Sequence, residues 1–587
     1  MTGRIRTGAP WVVRVMIAWL MLSAFLLLAY APNIAAGRLS DADDALRLLQ
    51  VRDWIAGQSW FDVHQYRIAA PAGVAMHWSR LVDIPLAGMI VVLRPLIGPG
   101  LAETVTLVVV PMLTLLATLL LVGRLVARRA DADAVDLACL AAALAAPLVL
   151  QMTPLRIDHH GWQVVMALVA VNGLAAREAV RGGVVIGVAL AVLLAISIEG
   201  LPLAAVFVAV LALRGLIAAG GRDRFAGLAT ASLTLTLASA AVFLATRGTA
   251  DLVTHCDQVS PLHIALFGVL ALGCGVLWWR APRRLVACVA AGATVCATLA
   301  LYLWAAPQCR GGAMGALDPL VSRMWYAYVF EGMPVWHMAP VLAAEWIGVP
   351  LVGLIASIVL WRDAPTAAAQ SWWRDYTLVL AGAVLVAALL SRASATACAL
   401  AAIPTGIVLL RWLIALRRAP PLWRIAGLGA FVPVLIPALP VLAWTLATAS
   451  PATGGAALAS SRCDYAAAAR ALDRLPPTDL FMPLDMGPDI LRASRQRVVA
   501  TGHHRGAAAM HDVIAAFLAP PDEARALVQR RHATLIVVCP DTPEARNYRD
   551  DAPNGLMAHL LRGQPPGWLQ PVDLAPESHI RVWRVIP

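Results

Sequence analysis

The sequence has no lysine. All 46 of its basic side chains are arginine, set against 35 acidic ones, for a formal charge of +11. These arginines are scattered along the chain and form no single patch, which argues against a nucleic-acid partner. Charged residues of either sign are scarce, at 14% against 60% hydrophobic, and mean hydropathy is +0.73. A soluble protein of 587 residues cannot hide that much apolar surface, so the class is a polytopic membrane protein. No internal repeat is visible, and Pro and Gly are spread too widely to mark a linker. No small-residue cleavage site follows the first apolar run at once, so that run reads as a span and not as a removable signal.

A span needs about 20 apolar residues. Such runs lie near 11–30, 101–123, 135–153, 162–179, 183–198, 201–217, 226–246, 260–279, 285–306, 341–361, 376–390, 394–412 and 425–447, about thirteen in all. The segment 84–97 is short and flanked by proline, and reads as a juxtamembrane helix. Arginines recur in short loops about two spans apart: Arg4, Arg6 and Arg14; Arg124, Arg128 and Arg129; Arg177 and Arg181; Arg222 and Arg224; Arg280, Arg283 and Arg284; Arg362 and Arg374; Arg417, Arg418 and Arg424. Positive charge favours the cytoplasmic side, which places the N-terminus there and, with an odd span number, the C-terminal tail outside. The expected fold is an all-α polytopic membrane domain, 1–447, with outer loops 31–100 and 307–340, followed by a small external α/β domain, 448–587. In that tail "HATLIVVCP" (532–540) reads as a buried strand, and 466–475 and 519–531 read as helices.

The candidate chemistry lies in the outer loops. In "LRIDHHGWQ" (155–163), Asp158, His159 and His160 open an apolar helix. Two readings are open: Asp158 caps the helix and the histidines are interfacial, or a carboxylate and a nearby imidazole bind a divalent ion. The first outer loop places Asp41, Asp43 and Asp44 at the start of a helix, either as a dipole-favoured cap or as carboxylates whose mutual repulsion favours a cation. The second long loop carries Asp318, Arg323 and, in "FEGMP", Glu331. A carboxylate at the membrane edge is costly unless paired or functional. Glu199, in "ISIEGLPL", either closes a tight hairpin or lines the same cavity. Met76 to Arg80 form an aromatic-basic cluster, open to interfacial anchoring or to a lipid headgroup. His503, His504 and Arg505 lie in a loop of the tail.

This constellation resembles the GT-C glycosyltransferases, in particular the catalytic subunit of oligosaccharyltransferase in its archaeal and bacterial single-subunit forms. "DDALRLLQVRDWIAG" is similar to that family's first-loop acidic motif, and the resemblance makes Asp43 a metal-binding aspartate. The family's Asp-His-His motif is matched by Asp158, His159 and His160, which implies Asp158 and His160 as metal ligands. "YVFEGMP" resembles a degenerate form of the later-loop element and puts Glu331 at its glutamate. Arg392, in "LLSRASATA", resembles the arginine that contacts the lipid phosphate. The tail lacks the Trp-Trp-Asp motif that reads the acceptor sequon. "SWWRDY" (371–376) lies on the expected cytoplasmic side and reads as an interfacial tryptophan pair.

The resemblance implies an inverting, metal-dependent transfer of a sugar from a polyprenyl-phosphate or polyprenyl-diphosphate carrier, on the outer face of a bacterial inner membrane. The acceptor is then a glycan, lipid or protein other than an asparagine sequon. Mn2+ or Mg2+, held by Asp43, Asp158 and His160, neutralises the leaving phosphate, with Arg392 and Arg323 adding charge-assisted hydrogen bonds. Asp43 or Glu331 orients or deprotonates the acceptor hydroxyl. A polytopic transporter or flippase is the alternative, though such proteins more often carry ionisable residues within the spans. Of nine cysteines, Cys256, Cys309, Cys463 and Cys539 lie outside on this topology. That compartment permits disulfides, expected as Cys256–Cys309 and Cys463–Cys539.

Overall fold

The computed structural model describes residues 9–218, 220–448, 462–574 and 576–586, so Arg4 and Arg6 lie outside the described residues. Among these, ten helices are long and apolar enough to cross a membrane: Trp11–Ala36, Pro99–Ala127, Ala179–Ile196, Ile198–Ile217, Arg222–Thr246, Pro261–Arg280, Arg284–Ala305, Pro340–Arg362, Ala367–Leu389 and Ser391–Leu416. Two bent pairs raise the number to twelve. Asp133–Ala143 and Ala146–Met152 meet at 78°, and Pro421–Leu435 and Ala438–Thr448 at 90°. Pro437 sits in the second break, where a residue without an N–H cannot continue the helix. The 15-residue apolar helix His160–Leu174 completes the set, so each expected span has a helical counterpart. The chain is a multi-pass membrane protein.

Helix ends follow local chemistry. Proline occupies the first helical position at Pro99, Pro261, Pro340 and Pro421, where its missing N–H costs nothing. Gly37, at φ 59°, closes the first helix in the left-handed conformation. Inside the bundle, Ala179–Ile196 and Ala226–Thr246 approach backbone to backbone. A Cβ on Gly183 would stand 2.6 Å from the Gly227 carbonyl oxygen, and one on Gly187 2.5 Å from that of Ala231. Small residues four apart are the usual device for close helix packing in lipid. On the bundle's outer surface, Met21, Leu28 and Trp304 are exposed, as lipid-facing side chains should be.

The tryptophan pair of "SWWRDY" is not interfacial. Trp372 and Trp373 are buried in Ala367–Leu389, Trp372 stacked on Tyr376 and Trp373 edge-on to it, and the Arg129 guanidinium lies 4.0 Å from the Trp372 ring centroid. The adjacent Asp375 is buried and paired with Arg214 at 2.7 Å and with Arg374 at 2.7 Å. Pairing removes the cost of a lone buried charge.

The chain divides into two compact units. A helical unit holds the described residues to Arg38, Ser79–Ala313, and the chain from Glu331 to the end of the last apolar helix. A sheet unit joins Leu39–Trp78 and Met314–Phe330 to the C-terminal segment. Two loop stretches, one early and one central in the chain, are therefore part of the same unit as the tail. The reason is their apolar content: Leu46, Leu49, Val63, Ile68, Val74, Met76 and Trp78 share one buried cluster with Leu480, Ile490, Val498 and Val537. Trp78 is thus a core residue of this unit and not a membrane anchor, with the Arg47 guanidinium 4.8 Å from its ring centroid.

The sheet unit is a small α/β fold. A hairpin pairs β1 (His64–Gln65) with β2 (Val74–Ala75). The main sheet contains β3 (Asp479–Phe481), β4 (Arg497–Val498), β5 (Leu535–Val538), β6 (Leu569–Val572) and β7 (Arg581–Val585), in the order β4-β3-β5-β7-β6. β3 runs parallel to β4 and β5, while β7 is antiparallel to β5 and β6. All four residues of β5 are buried, in line with the apolar run that marked it in sequence. The two expected tail helices are Tyr465–Leu472 and Pro521–Arg530.

Cys256 is bonded to Cys309 in the helical unit, and Cys463 to Cys539 in the sheet unit, closing separations of 53 and 76 residues. Non-reducing peptide mapping should recover both links. Cys463→Ser should destabilise the sheet unit by about 2–4 kcal/mol through the entropy returned to its unfolded chain, read from denaturant unfolding.

Candidate active site

The site begins at a constrained turn. Leu155 has φ 72°, a left-handed conformation uncommon for a leucine, and its N–H donates to the Leu107 carbonyl at 2.9 Å. The chain then enters the helix at His160. Gly161 lets that first turn lie close to residues 150–152, since a Cβ there would meet the Gln151 carbonyl oxygen and Thr114 Cγ2, each at 3.2 Å. Asp158, His159 and His160 are all buried as a result.

Asp158 turns its two oxygens to two imidazoles. Oδ1 lies 2.6 Å from His159 Nδ1, and Oδ2 lies 3.2 Å from His160 Nε2. The same His160 nitrogen stands 3.3 Å from Glu331 Oε2. The other ring nitrogen, Nδ1, is 2.9 Å from Gln163 Oε1, one helical turn on. With Nδ1 turned to Gln163, Nε2 is the atom that faces both carboxylates: as an imidazolium it donates to them, and on losing that proton it would present its lone pair to a cation.

Two arginines close the site. Arg156 donates to Glu331 Oε1 at 3.1 Å. Arg392 pairs with Glu199 at 3.0 Å and donates through Nε to the Glu331 carbonyl at 3.3 Å. Ser391 holds the same loop, its hydroxyl donating to that carbonyl at 3.0 Å and its N–H to the Met333 carbonyl at 3.1 Å. One small cavity is lined by His160, Gln163, Glu199 and Arg392, with Leu193, Leu203 and Val386 among its apolar walls. Glu199 therefore lines the cavity as well as closing its turn. Three carboxylates against two guanidiniums leave one negative charge when both histidines are neutral. The donor set of Asp158, His160 and Glu331 accordingly fits a divalent cation, and one nitrogen or oxygen from each of Asp158, His159 and His160 lies within 4.8 Å of the others.

The other sequence candidates lie in the sheet unit. Asp41 caps the helix Ala42–Ile55 by accepting from the Asp43 N–H at 2.9 Å, and Asp43 and Asp44 follow in its first turn. Asp318 caps Pro319–Met324, accepting from Leu320 and Val321. Arg323 forms an ion pair with Asp551 at 2.9 Å. Two residues of the site were missed in sequence. Arg156 stands two positions before Asp158, and Gln163 three after His160. The helical spacing of Gln163 was the signal for it, and a lone arginine between two apolar runs was the signal for Arg156.

No family model and no curated protein matches the sequence. Solved structures do match in fold. The oligosaccharyltransferase AglB of Archaeoglobus fulgidus, in complex with an inhibitory peptide and a dolichol-phosphate, is similar with a TM-score of 0.69 over 96% of this chain and 72% of that one, at 13% identity. The chain has a GT-C-like fold. The apo form of the Archaeoglobus fulgidus oligosaccharyltransferase gives 0.62 at 12% identity, over 96% and 73%, and its complex with Zn and sulfate 0.59 at 13% identity, over 92% and 70%. The GT-C-like arrangement agrees with the sequence in its many spans and in the small sheet-bearing domain near the C-terminus.

Burial pushes the Glu331 carboxyl up. The hydrogen bond and charge of His160, with Arg156 and Arg392 behind them, outweigh burial and hold it well below the usual carboxylate range. A carboxyl held low contributes stability above the ordinary carboxylate range and loses it as pH falls through its own lower value. Glu331→Gln should therefore cost about 1–3 kcal/mol at neutral pH. The gap to wild type should close on acidification, measured by thermal unfolding of both proteins in detergent over a series of pH values.

Proposed function

We propose that the protein is a metal-dependent glycosyltransferase acting on a polyprenyl-phosphate-linked or polyprenyl-diphosphate-linked sugar at the outer face of a bacterial inner membrane. The observation that carries this reading is the meeting of Asp158, His160 and Glu331 around one imidazole nitrogen, with Arg156 and Arg392 alongside. A site for transfer from a lipid phosphate needs groups for a cation and for an anion at close quarters, and this one has both. The fold supports the same reading, since the matched AglB is described with a dolichol-phosphate.

Asp158, His160 and Glu331 would hold a divalent ion, for which Mn2+ or Mg2+ suits the carboxylates. Such an ion, when bound, supplies charge neutralisation for a leaving phosphate. Gln163 fixes the ring of His160, and Asp158 orients His159. Arg392 is positioned by Glu199 and offers its guanidinium to a phosphate on the cavity side. Glu331, kept ionised by His160 and by Arg156 and Arg392, is available to orient an acceptor hydroxyl by accepting its hydrogen bond. Direct displacement at the anomeric carbon inverts it. The acceptor is a glycan, lipid or protein lacking the asparagine sequon, because the tail has no Trp-Trp-Asp motif.

Purified protein in nanodiscs, given a panel of polyprenyl-linked sugars, tests the reading. Asp158→Asn and His160→Gln should each weaken Mn2+ binding by at least about tenfold and abolish sugar release. Metal binding should release protons and weaken as pH falls, because ligation needs a neutral imidazole. Arg392→Ala should spare metal binding and raise the KM for the lipid donor. Wild-type metal affinity and turnover in Asp158→Asn would sink the proposal. Asp43→Asn, assayed by the same two readouts, tests that residue's assignment from sequence separately.

A further inference from the structure

Three histidines converge in the sheet unit, apart from the residues described above. His77 follows β2, and His503 and His504 lie in the loop after β4. His77 Nδ1 stands 3.0 Å from His503 Nε2. The ring centroids are 5.1 Å apart for His77 and His503, 4.8 Å for His77 and His504, and 5.0 Å for His503 and His504. One nitrogen from each ring lies within 4.8 Å of the other two. His503 is buried, with the edge of buried Trp78 against it at 5.4 Å between centroids, while His77 and His504 are half-buried. His503 thus lies on the buried side of the cluster, and His77 and His504 are partly accessible.

Three imidazoles packed this closely have a common difficulty. A proton added to any ring places a cation against its neighbours. A divalent transition metal removes the problem by taking one lone pair from each ring. Tetrahedral Zn–N bonds of about 2.0–2.1 Å put ligand nitrogens roughly 3.3 Å apart, against 3.0 Å between His77 Nδ1 and His503 Nε2 and at most 4.8 Å for one nitrogen from each ring here. The backbone already holds both segments in place. Ala69 N–H donates to the Val498 carbonyl at 3.0 Å, Val498 N–H to the Arg67 carbonyl at 2.9 Å, and a Cβ on Gly506 would touch Val74 Cγ2 at 3.5 Å. Fixed backbone around convergent ligands is what a metal site requires.

We propose that His77, His503 and His504 form a second metal centre that takes a Zn2+-class ion. Its chemistry differs from that of the carboxylate site. Three neutral nitrogen donors favour Zn2+, Ni2+ or Cu2+ over Mg2+ and Mn2+, which prefer oxygen. A fourth position takes water or a solvent anion. The bound ion ties the stretch after β2 to the loop after β4, adding a cross-link between an early and a late segment of the chain.

The test uses the full-length protein in detergent, stripped with a chelator and titrated with Co2+. The wild type should develop the intense visible bands of tetrahedral Co2+ at one equivalent, and Zn2+ should bleach them. His503→Gln and His504→Gln should each lose the bands and weaken Zn2+ binding by at least about tenfold, whereas Asp158→Asn should keep both. Zn2+ should also raise the thermal midpoint of Asp158→Asn, in which the carboxylate site is disabled, and not that of the Asp158→Asn/His504→Gln double variant, where the half-exposed position of His504 tolerates the change if His503→Gln fails to fold. Absence of tetrahedral bands in wild type overturns the proposal. So do bands that survive both histidine substitutions, or bands lost in Asp158→Asn.

Discussion

His160 Nε2 stands between the carboxylates of Asp158 and Glu331, and the environment of that one nitrogen organises the charge of the candidate site. A buried acid is expensive alone and two close together are worse. Here each has its own counter-group: His159 for Asp158, Arg156 for Glu331, and Arg392 for the nearby Glu199. The imidazole is the shared member, so the position of each acid depends on its ring orientation, which Gln163 sets. Removing any one group leaves another charge without compensation in an apolar surrounding. A cluster of this kind is poor value as a source of stability and makes sense as a site prepared for a charged ligand.

The backbone constraints around it point the same way. The left-handed Leu155 and the close approach at Gly161 are local departures from relaxed helix geometry. Both lie within a few residues of Asp158. Elsewhere the bundle uses ordinary means: small residues where helices touch, proline at helix starts, and arginine–aspartate pairs wherever a charge is buried. Ala281, at φ 42°, is left-handed as well, but it closes an apolar helix, whereas Leu155 and Gly161 flank a cluster of ionisable side chains.

Much of this was legible in the sequence because membrane proteins write their architecture in long apolar runs. Every expected span found a helix, and the strand at 535–538 was visible as an uninterrupted apolar stretch. Asp158, His160, Glu331 and Arg392 could be named from short motifs, and the helical unit brings those four together. What stayed hidden was long-range partnership. Nothing in the sequence says that Arg156 meets a residue 175 positions later. Nor does it say that residues 39–78 belong with the tail, because their apolar residues look like those of any membrane-proximal loop. The tryptophans of "SWWRDY" misled for a related reason: tryptophan beside arginine marks an interface when exposed and a cation–π core contact when buried, and composition does not separate the two.

The shared core of the sheet unit also sets an order of events during synthesis. Leu46, Leu49, Ile68 and Met76 are made within the first hundred residues, yet the strands and helices that bury them, from Leu480 to Val582, are made last. Between the two, the ribosome delivers nearly all of the apolar helices. Throughout that interval the early segment has no partner for its greasy face and must be shielded by the lipid surface or by a chaperone. A chain interrupted before its final strands would therefore present, near its beginning, an exposed apolar stretch that quality-control proteases can recognise.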